Sequence, residues 1–381
     1  MISFEGWQIL DVGSIWMREF ASAMAATHPV TAWWPETRTM GAFERWERVE
    51  TTAEPPLTVR RFPLQRGYAR APIRHLLPYQ ISLLKRLRST CHDEARSPLI
   101  CSTPFYAPLS EWWAGPSVYY VTDLTAGYDG LHSAQVIALD KRMCQSATAI
   151  CPNSQRLAEY LIKEANCQPE KITVVPNATR ESNIAPAPLL APETLPEEVA
   201  HLPRPIAGVI GNLAGNMDWE LLEPAIATTP WLTWLFVGPT NMPILEPPQA
   251  AARARVLALG DQVHFTGPKP YGELQSYARC FDVAVLPYRK KEPTYSGSST
   301  RFYEHLAACR PMIATRGFAE LLEKPPLLVL VNTGGEMQTE LDALRRASFR
   351  DGQETARWEA SRHGTWEERV RTLTGALAER S

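Results

Sequence analysis

Short apolar runs alternate along this chain with segments whose apolar positions recur every three or four residues, the two periods that separate strands from amphipathic helices. In the first half the runs predict strands over residues 9–12, 30–34, 57–62, 99–101, 117–121, 148–151 and 172–175, and helices over 16–26, 76–87, 134–144 and 154–165. Residues 183–205 are rich in proline and in small or acidic residues and carry neither period. The alternation then restarts, with strands over 206–210, 233–237, 263–266, 283–286, 312–314 and 327–331 and helices over 219–227, 249–259, 272–280 and 301–308. Strands that alternate with helices form parallel sheets covered on both faces. The expected fold is α/β, two doubly wound Rossmann-like domains facing a central cleft. The expected bounds are 1–178 for a first domain, 179–205 for a linker and 206–352 for a second domain. A helical tail over 353–381 follows, whose apolar positions Trp358, Trp366, Val370, Leu373 and Leu377 suit packing back on the first domain.

At 381 residues the chain is long enough for two cores, and a hydrophobic content of 45% with a net charge of −2 excludes wholesale disorder and a uniformly basic nucleic-acid binder. The start of the chain carries an acid, Glu5, where a secretion signal needs positive charge, and no apolar run reaches the length of a membrane span. A cytoplasmic protein is expected. The seven cysteines show neither metal-ligand spacing nor a disulfide framework, and read as reduced, mostly buried thiols. Charge is uneven in one place. No acid lies between Glu54 and Asp93, while Arg60, Arg61, Arg66, Arg70, Arg74, Lys85, Arg86 and Arg88 do. With its apolar interleaving the block over 60–88 fits peripheral contact with the anionic inner face of a membrane, and equally a solvated helix face plus an arginine-rich loop.

In open α/β sheets ligands bind beyond the carboxyl ends of the strands, so the loops there carry the candidate chemistry. Residues 296–304, SGSSTRFYE, run from a small-residue turn into a helix. The backbone N–H groups of Ser298, Ser299 and Thr300, behind Gly297, would lie free at the helix start, where the dipole favours an anion and Arg301 can fork onto a phosphate. Glu304, one turn on, can accept hydrogen bonds from a hydroxylated ligand, although Arg301 and Glu304 also fit an ordinary ion pair at i,i+3 spacing. The turn after the strand at 206–210 brings Gly211, Asn212 and Leu213 within reach of a diphosphate or sugar, or is a plain tight turn. The loop with Gly267 and Pro268 is stiff enough to hold a flat base, and Tyr288 leads a loop whose Arg289, Lys290 and Lys291 add cations near the anion site. In the first domain Asp123 follows the strand at 117–121. It serves as a general base for an attacking hydroxyl, or as a turn cap. Gly13, Ser14, Thr103 and Tyr128, in the same set of loops, are acceptor candidates. No GxGxxG fingerprint follows a strand and no GK[ST] loop is present, which argues against a nicotinamide enzyme and a P-loop nucleotidase.

The stretches CPNSQRLAEYL and KITVVPNATR, then IGNLAGNMDWELL, then VHFTGPKPYGELQSYARCFDVAVLPYR, then SSTRFYEHLAACRPMIAT and finally GTWEERV come in an order and spacing that resemble the GT-B glycosyltransferases of the bacterial group 1 type. These build polysaccharides and glycolipids. The resemblance implies transfer of a sugar from a nucleoside-diphosphate sugar to a hydroxyl acceptor. It places the diphosphate at the loop before Arg301, a phosphate contact at Arg301 and the ribose at Glu304. The chain departs from the family pattern at Cys309, where glycine is usual, at 177–180, where NATR replaces N-G-V-D, and at Ser296, where retaining members carry the first of two glutamates. The expected mechanism is therefore inverting, with Asp123 as base and with Arg301 and the helix dipole, without a metal or other cofactor, easing departure of the nucleoside diphosphate. Two alternatives share the architecture: a nucleotide-sugar epimerase and a non-catalytic nucleotide-sugar-binding subunit.

Overall fold

The structure, a computed structural model, describes residues 6–10, 13–38, 48–52, 57–65, 96–129, 131–241, 244 and 246–381. The chain separates into two compact units, one of residues 1–177, 296–298 and 366–381, the other of residues 178–295 and 299–365. The predicted helix over 76–87 and residues 66–88 of the basic block lie outside the described residues.

The first unit is built on β1 (Trp7–Leu10), β2 (Val30–Arg38), β3 (Arg48–Thr52), β4 (Leu57–Gln65), β5 (Leu99–Cys101), β6 (Ser117–Val121) and β7 (Ala149–Pro152), in the spatial order β3-β4-β2-β1-β5-β6-β7. All neighbours pair in parallel except β3, which runs antiparallel to β4 at the edge. The central strands are buried along their whole length, as both faces of a doubly wound sheet are covered. Among the helices, α1 (Ile15–Ala25) starts at Ser14, whose hydroxyl accepts the Met17 N–H, and α2 (Ala107–Trp112) and α3 (Ser133–Ser146) follow. α4 (Gln155–Ala165) starts at Ser154, which accepts the Leu157 N–H, and ends at left-handed Asn166. These caps satisfy donors that a helix leaves open at its start.

Several expectations shift. β1 lies two residues before the predicted 9–12, and residues 172–175 make only an isolated bridge from Ile172 to Ile150 instead of a strand. β3 and α2 were not foreseen, since neither short segment carries enough repeats to show a period.

The second unit contains β8 (Ile206–Ile210), α5 (Trp219–Ala227), β9 (Thr233–Val237), α6 (Pro247–Leu257), β10 (Val263–Phe265), α7 (Leu274–Cys280), β11 (Val283–Leu286), α8 (Thr300–Ala308), β12 (Met312–Thr315), β13 (Val329–Val331), α9 (Gly334–Arg346) and α10 (Glu354–Arg362). Its strands are all parallel in the order β10-β9-β8-β11-β12-β13, so the order reverses at β8. Ligands are expected beyond the strand ends at such a reversal. Trp219, Trp234, Phe236 and Phe265 form a stacked aromatic core under β9.

Residues 179–205, expected as a linker, cluster with the second unit. Arg204 pairs with Asp282 at 2.8 Å, Arg279 donates to the Asn183 carbonyl and Arg310 to that of Leu189, so the aperiodic segment is fixed by side chains reaching its backbone. The tail over 353–381 is two helices rather than one. α10 stays with the second unit, where Trp358 donates to the Ala185 carbonyl, while α11 (Trp366–Ala378) belongs to the first and packs on α1. Within that unit Arg369 donates to the Pro176 carbonyl at 3.1 Å. Six described cysteines are free and buried, and Cys91 lies outside the described residues.

Candidate active site

In the second unit the loops after β8, β9 and β10 meet through glycines. Gly211 and Gly238 both have φ near +150°, and a Cβ on Gly238 would lie 1.8 Å from the Gly211 carbonyl oxygen. The Gly238 N–H donates to the Gly267 carbonyl at 3.0 Å. The open side of Gly211 faces the proposed ligand groups: its Cβ direction points at the Tyr288 hydroxyl, 3.5 Å away, and at Nε of Arg301, 4.0 Å away. Tyr288 is held by an edge-on contact to Phe318, and the hydroxyl of Thr315 donates to its carbonyl oxygen. Gly211, Tyr288 and Arg301 are thus brought together by three separate elements. Asn212 is exposed beside them, whereas the Leu213 side chain is fully buried in the core, its N–H donates to the Pro239 carbonyl at 3.1 Å and its carbonyl accepts from Arg253 at 3.4 Å, so Leu213 is held as structure instead of facing a ligand as expected. Gly267 has open space around it and Pro268 is exposed.

α8 begins at Thr300, with Ser299 as its cap accepting the Phe302 N–H at 3.3 Å. The Arg301 guanidinium bonds the Glu304 carboxylate, both largely buried. Burial works against the charge of Arg301, but Glu304 and the neighbouring tyrosine hydroxyls outweigh it and raise its pKa. The same guanidinium lies 5.9 Å from the ring centre of Tyr271, over which Arg180 also lies at 5.2 Å. Tyr271 adjoins the loop expected to hold a base, whereas Arg180 was not a donor candidate from sequence, because the contact joins residues far apart in the chain. His305, next on α8, is buried, and burial followed by the Arg301 charge pushes its pKa down to about 3, so it is neutral.

Two sequence expectations change here. The Ser299 N–H is not free: it donates to Glu320 at 2.9 Å. The cations after Tyr288 are also engaged, Arg289 and Lys291 with Glu246 at 3.2 and 2.6 Å, and Lys290 over the ring of Tyr295. Glu246, with the Lys291 hydrogen bond as the main cause, is held at a pKa of about 2. In the first unit, Ser154 donates to the Ser296 carbonyl at 2.5 Å, and Asn177 donates to the Ser298 carbonyl and hydroxyl at 2.7 and 3.0 Å. The candidate loop residues Gly297 and Ser298 are therefore buried and fixed.

The first unit holds a pocket of about 220 Å³ at the carboxyl ends of β5 and β6, lined by Ser14, Trp16, Ser102, Thr103, Phe105, Thr122, Asp123, Thr125, Tyr128 and Leu131. Asp123 and the acceptor candidates Ser14, Thr103 and Tyr128 thus share one cavity, and Gly13 adjoins Ser14. Burial pushes the Asp123 carboxyl up to about 7, with a hydrogen bond from the Tyr128 hydroxyl opposing the shift. Trp16, Ser102 and Phe105 were missed. Their signal was position, each falling within a few residues of a strand end already marked for binding.

Among the described residues no group of three or more His, Cys, Asp or Glu is placed to hold a metal ion, and no helix is long and apolar enough to cross a membrane.

Two family models match in sequence order, a "Glycosyl transferase 4-like domain" over residues 15–178 and "Glycosyl transferases group 1" over residues 204–345. The chain belongs to the group 1 glycosyltransferases of GT-B fold. It is 24% identical over 174 residues to a Bacillus subtilis (strain 168) protein named "Putative teichuronic acid biosynthesis glycosyltransferase TuaH", a match over 46% of this chain and 42% of that protein. Its fold is that of Anabaena Alr3699/HepE solved with UDP and glucose, at TM-score 0.67 and 15% identity over 99% of this chain and 100% of that one. A glycosyltransferase from Rickettsia africae ESF-5 is similar at TM-score 0.69 and 11% identity, with 99% of each chain covered.

Proposed function

We propose that this protein transfers a sugar from a nucleoside-diphosphate sugar to a hydroxyl acceptor, with inversion at the anomeric carbon and Asp123 as the general base. The family supports glycosyl transfer. The single observation that carries the base assignment is Asp123 itself, a carboxyl raised to about 7 in a hydroxyl-lined pocket. A base whose pKa lies near the working pH combines a populated carboxylate with enough basicity to take the proton of an attacking hydroxyl. Transfer requires the donor's anomeric carbon to come within reach of that hydroxyl.

On this reading Arg301 and the start of α8 receive the diphosphate, Tyr288 and the Gly211 turn border it, and Glu304 takes the ribose hydroxyls. Charge building on the departing phosphate is balanced by Arg301 and the helix dipole, with no metal or other cofactor required. What supports inversion is Ser296, which stands where the resemblance puts the first of the two glutamates of retaining members, and a hydroxyl there cannot act as a carboxylate does. In one-step displacement the base lies on the face opposite the leaving group, as in inverting glycosidases. UDP and its sugars are the first donors to test, since UDP is the nucleotide in the HepE structure. Proton NMR of the product reads the anomeric configuration directly. A product that keeps the donor's configuration rules out inversion, and an Asp123→Asn variant with wild-type kcat removes Asp123 from the mechanism. Peripheral attachment through the basic block belongs to the same proposal, tested by salt-sensitive sedimentation with anionic vesicles.

A further inference from the structure

The pocket around Asp123 carries a constraint on the acceptor, given the reading that this is the acceptor site. Its lining joins the aromatic side chains of Trp16 and Phe105 and the apolar Leu131 to hydroxyls such as those of Ser102 and Thr103, and among the described residues Asp123 is its only charged side chain. Aromatic surface of this kind covers the C–H face of a sugar ring, and serine and threonine hydroxyls both donate and accept, as sugar hydroxyls do. The indole N–H of Trp16 is buried with no partner among the described residues, which leaves a donor for a ligand oxygen. At about 220 Å³ the pocket exceeds the roughly 30 Å³ share of one water in the liquid several times over. It holds a group the size of a monosaccharide.

A phosphate or carboxylate on that group would find no cation among the described residues of the lining and would meet the Asp123 carboxylate. A charge taken out of water without a partner is strongly disfavoured, and one facing a like charge more so. We propose that the acceptor presents a neutral pyranose ring to this pocket, and that rings bearing a carboxylate or a phosphate are rejected there.

The test is saturation-transfer NMR on the full-length protein at pH 8.5, where Asp123 is ionised. The methyl glycosides of glucose, galactose and mannose are compared with their matched uronates and 6-phosphates. At least one neutral glycoside is expected to bind ten-fold or more tightly than its charged partners. Trp16→Leu, with Phe105→Leu as a second variant should the first not fold, is expected to weaken that binding at least five-fold. Asp123→Asn is expected to narrow the gap between neutral and charged rings. Equal binding of a charged ring and its neutral partner, no binding of any neutral ring, or binding untouched by both aromatic substitutions would each overturn the proposal. Release of UDP from UDP-sugars in the presence of acceptor separates the two claims. Neutral-ring binding without turnover would sink the transferase reading alone, whereas rapid transfer to a charged ring would sink this inference and leave the transferase reading standing.

Discussion

The carboxylate of Glu320 accepts the backbone N–H of Ser299 at 2.9 Å, and its other oxygen takes the Tyr303 hydroxyl at 2.5 Å. An acid thus sits on the start of α8, where the dipole and the open amides favour an anion. A donor phosphate that uses the Ser299 amide must displace a carboxylate of the same charge. Glu320→Gln keeps an acceptor for that amide and removes the repulsion. The variant is expected to bind UDP about ten-fold more tightly, or about 1.4 kcal/mol, and to lose some stability with the ion pair that Glu320 makes to Lys324 at 3.6 Å. Titration calorimetry checks this, and an unchanged Kd would show that the Ser299 amide is not part of the phosphate site.

The ion pair of Arg301 and Glu304 has two roles that separate by substitution. Glu304 is almost wholly buried, so Arg301→Ala leaves an uncompensated charge and is expected to cost about 3 kcal/mol of stability, the lower end of the range for breaking a buried pair. The double variant Arg301→Ala, Glu304→Gln removes that charge and is expected to recover much of the stability. It should not recover UDP binding if Arg301 contacts phosphate. Urea denaturation and calorimetry on the two variants read the two effects apart.

In the second unit β8, β9, β11, α5, α6 and α8 were legible because each carries its period and is followed within three residues by a glycine or proline. α9 was missed, although TGGE at its start is a capping pattern in which Thr333 accepts the Glu336 N–H. Its apolar positions Met337 and Leu341 are too few to show the period. The break of the tail at 363–365 was hidden for the opposite reason, since the helical period runs on across it. In the candidate site, Arg301 and Asp123 could be read because each lies at a helix or strand end, and Glu304 because it falls one turn after Arg301. Glu320 and Arg180 could not, because what places them is a pairing between loops that no local pattern encodes.

Cys309 shows how a departure from the family pattern is felt physically. It ends α8 with φ at +60°, a left-handed cap where glycine carries no Cβ penalty. At an ordinary buried helical position alanine is tolerated better than glycine. Here Cys309→Gly is expected to be at least as stable as Cys309→Ala, because only glycine relieves the backbone strain, which is about 1 kcal/mol for such a residue. Thermal unfolding of the two variants decides it, and a clearly less stable glycine variant would show that the cap is not strained.

Gly238 and Gly260 both have positive φ, but their surroundings differ. A Cβ at Gly260 meets nothing within 4 Å, while one at Gly238 would overlap the Gly211 carbonyl. Gly260→Ala should therefore cost only backbone strain, about 1 kcal/mol. Gly238→Ala must push the Gly211 turn aside and is expected to cost about 3 kcal/mol, the upper end for overpacking, and to weaken UDP binding where Gly260→Ala does not. Equal effects of the two on UDP binding would mean that the Gly211 turn is not part of the donor site.

The Asp123 carboxyl and the Tyr128 hydroxyl set the pH dependence. Asp123 has its pKa raised by burial to about 7, so the base form is the minor one below that pH and kcat/KM is expected to climb with pH through a midpoint near 7. Tyr128 donates to the carboxylate and holds the value down, so Tyr128→Phe should move the midpoint to higher pH. The same shift has a consequence for folding. A carboxyl whose pKa is higher in the folded protein than in the unfolded chain binds its proton more tightly when folded, so stability is lost as pH rises from about 4 to about 7. Asp123→Asn removes that loss. The variant is expected to gain stability over the wild type at pH 8 and to gain little at pH 4, while its activity falls at every pH. Unfolding curves at the two pH values, set beside the rate profile, distinguish a base held at a stability cost from a turn cap, for which removal of the carboxylate would lower stability at pH 8.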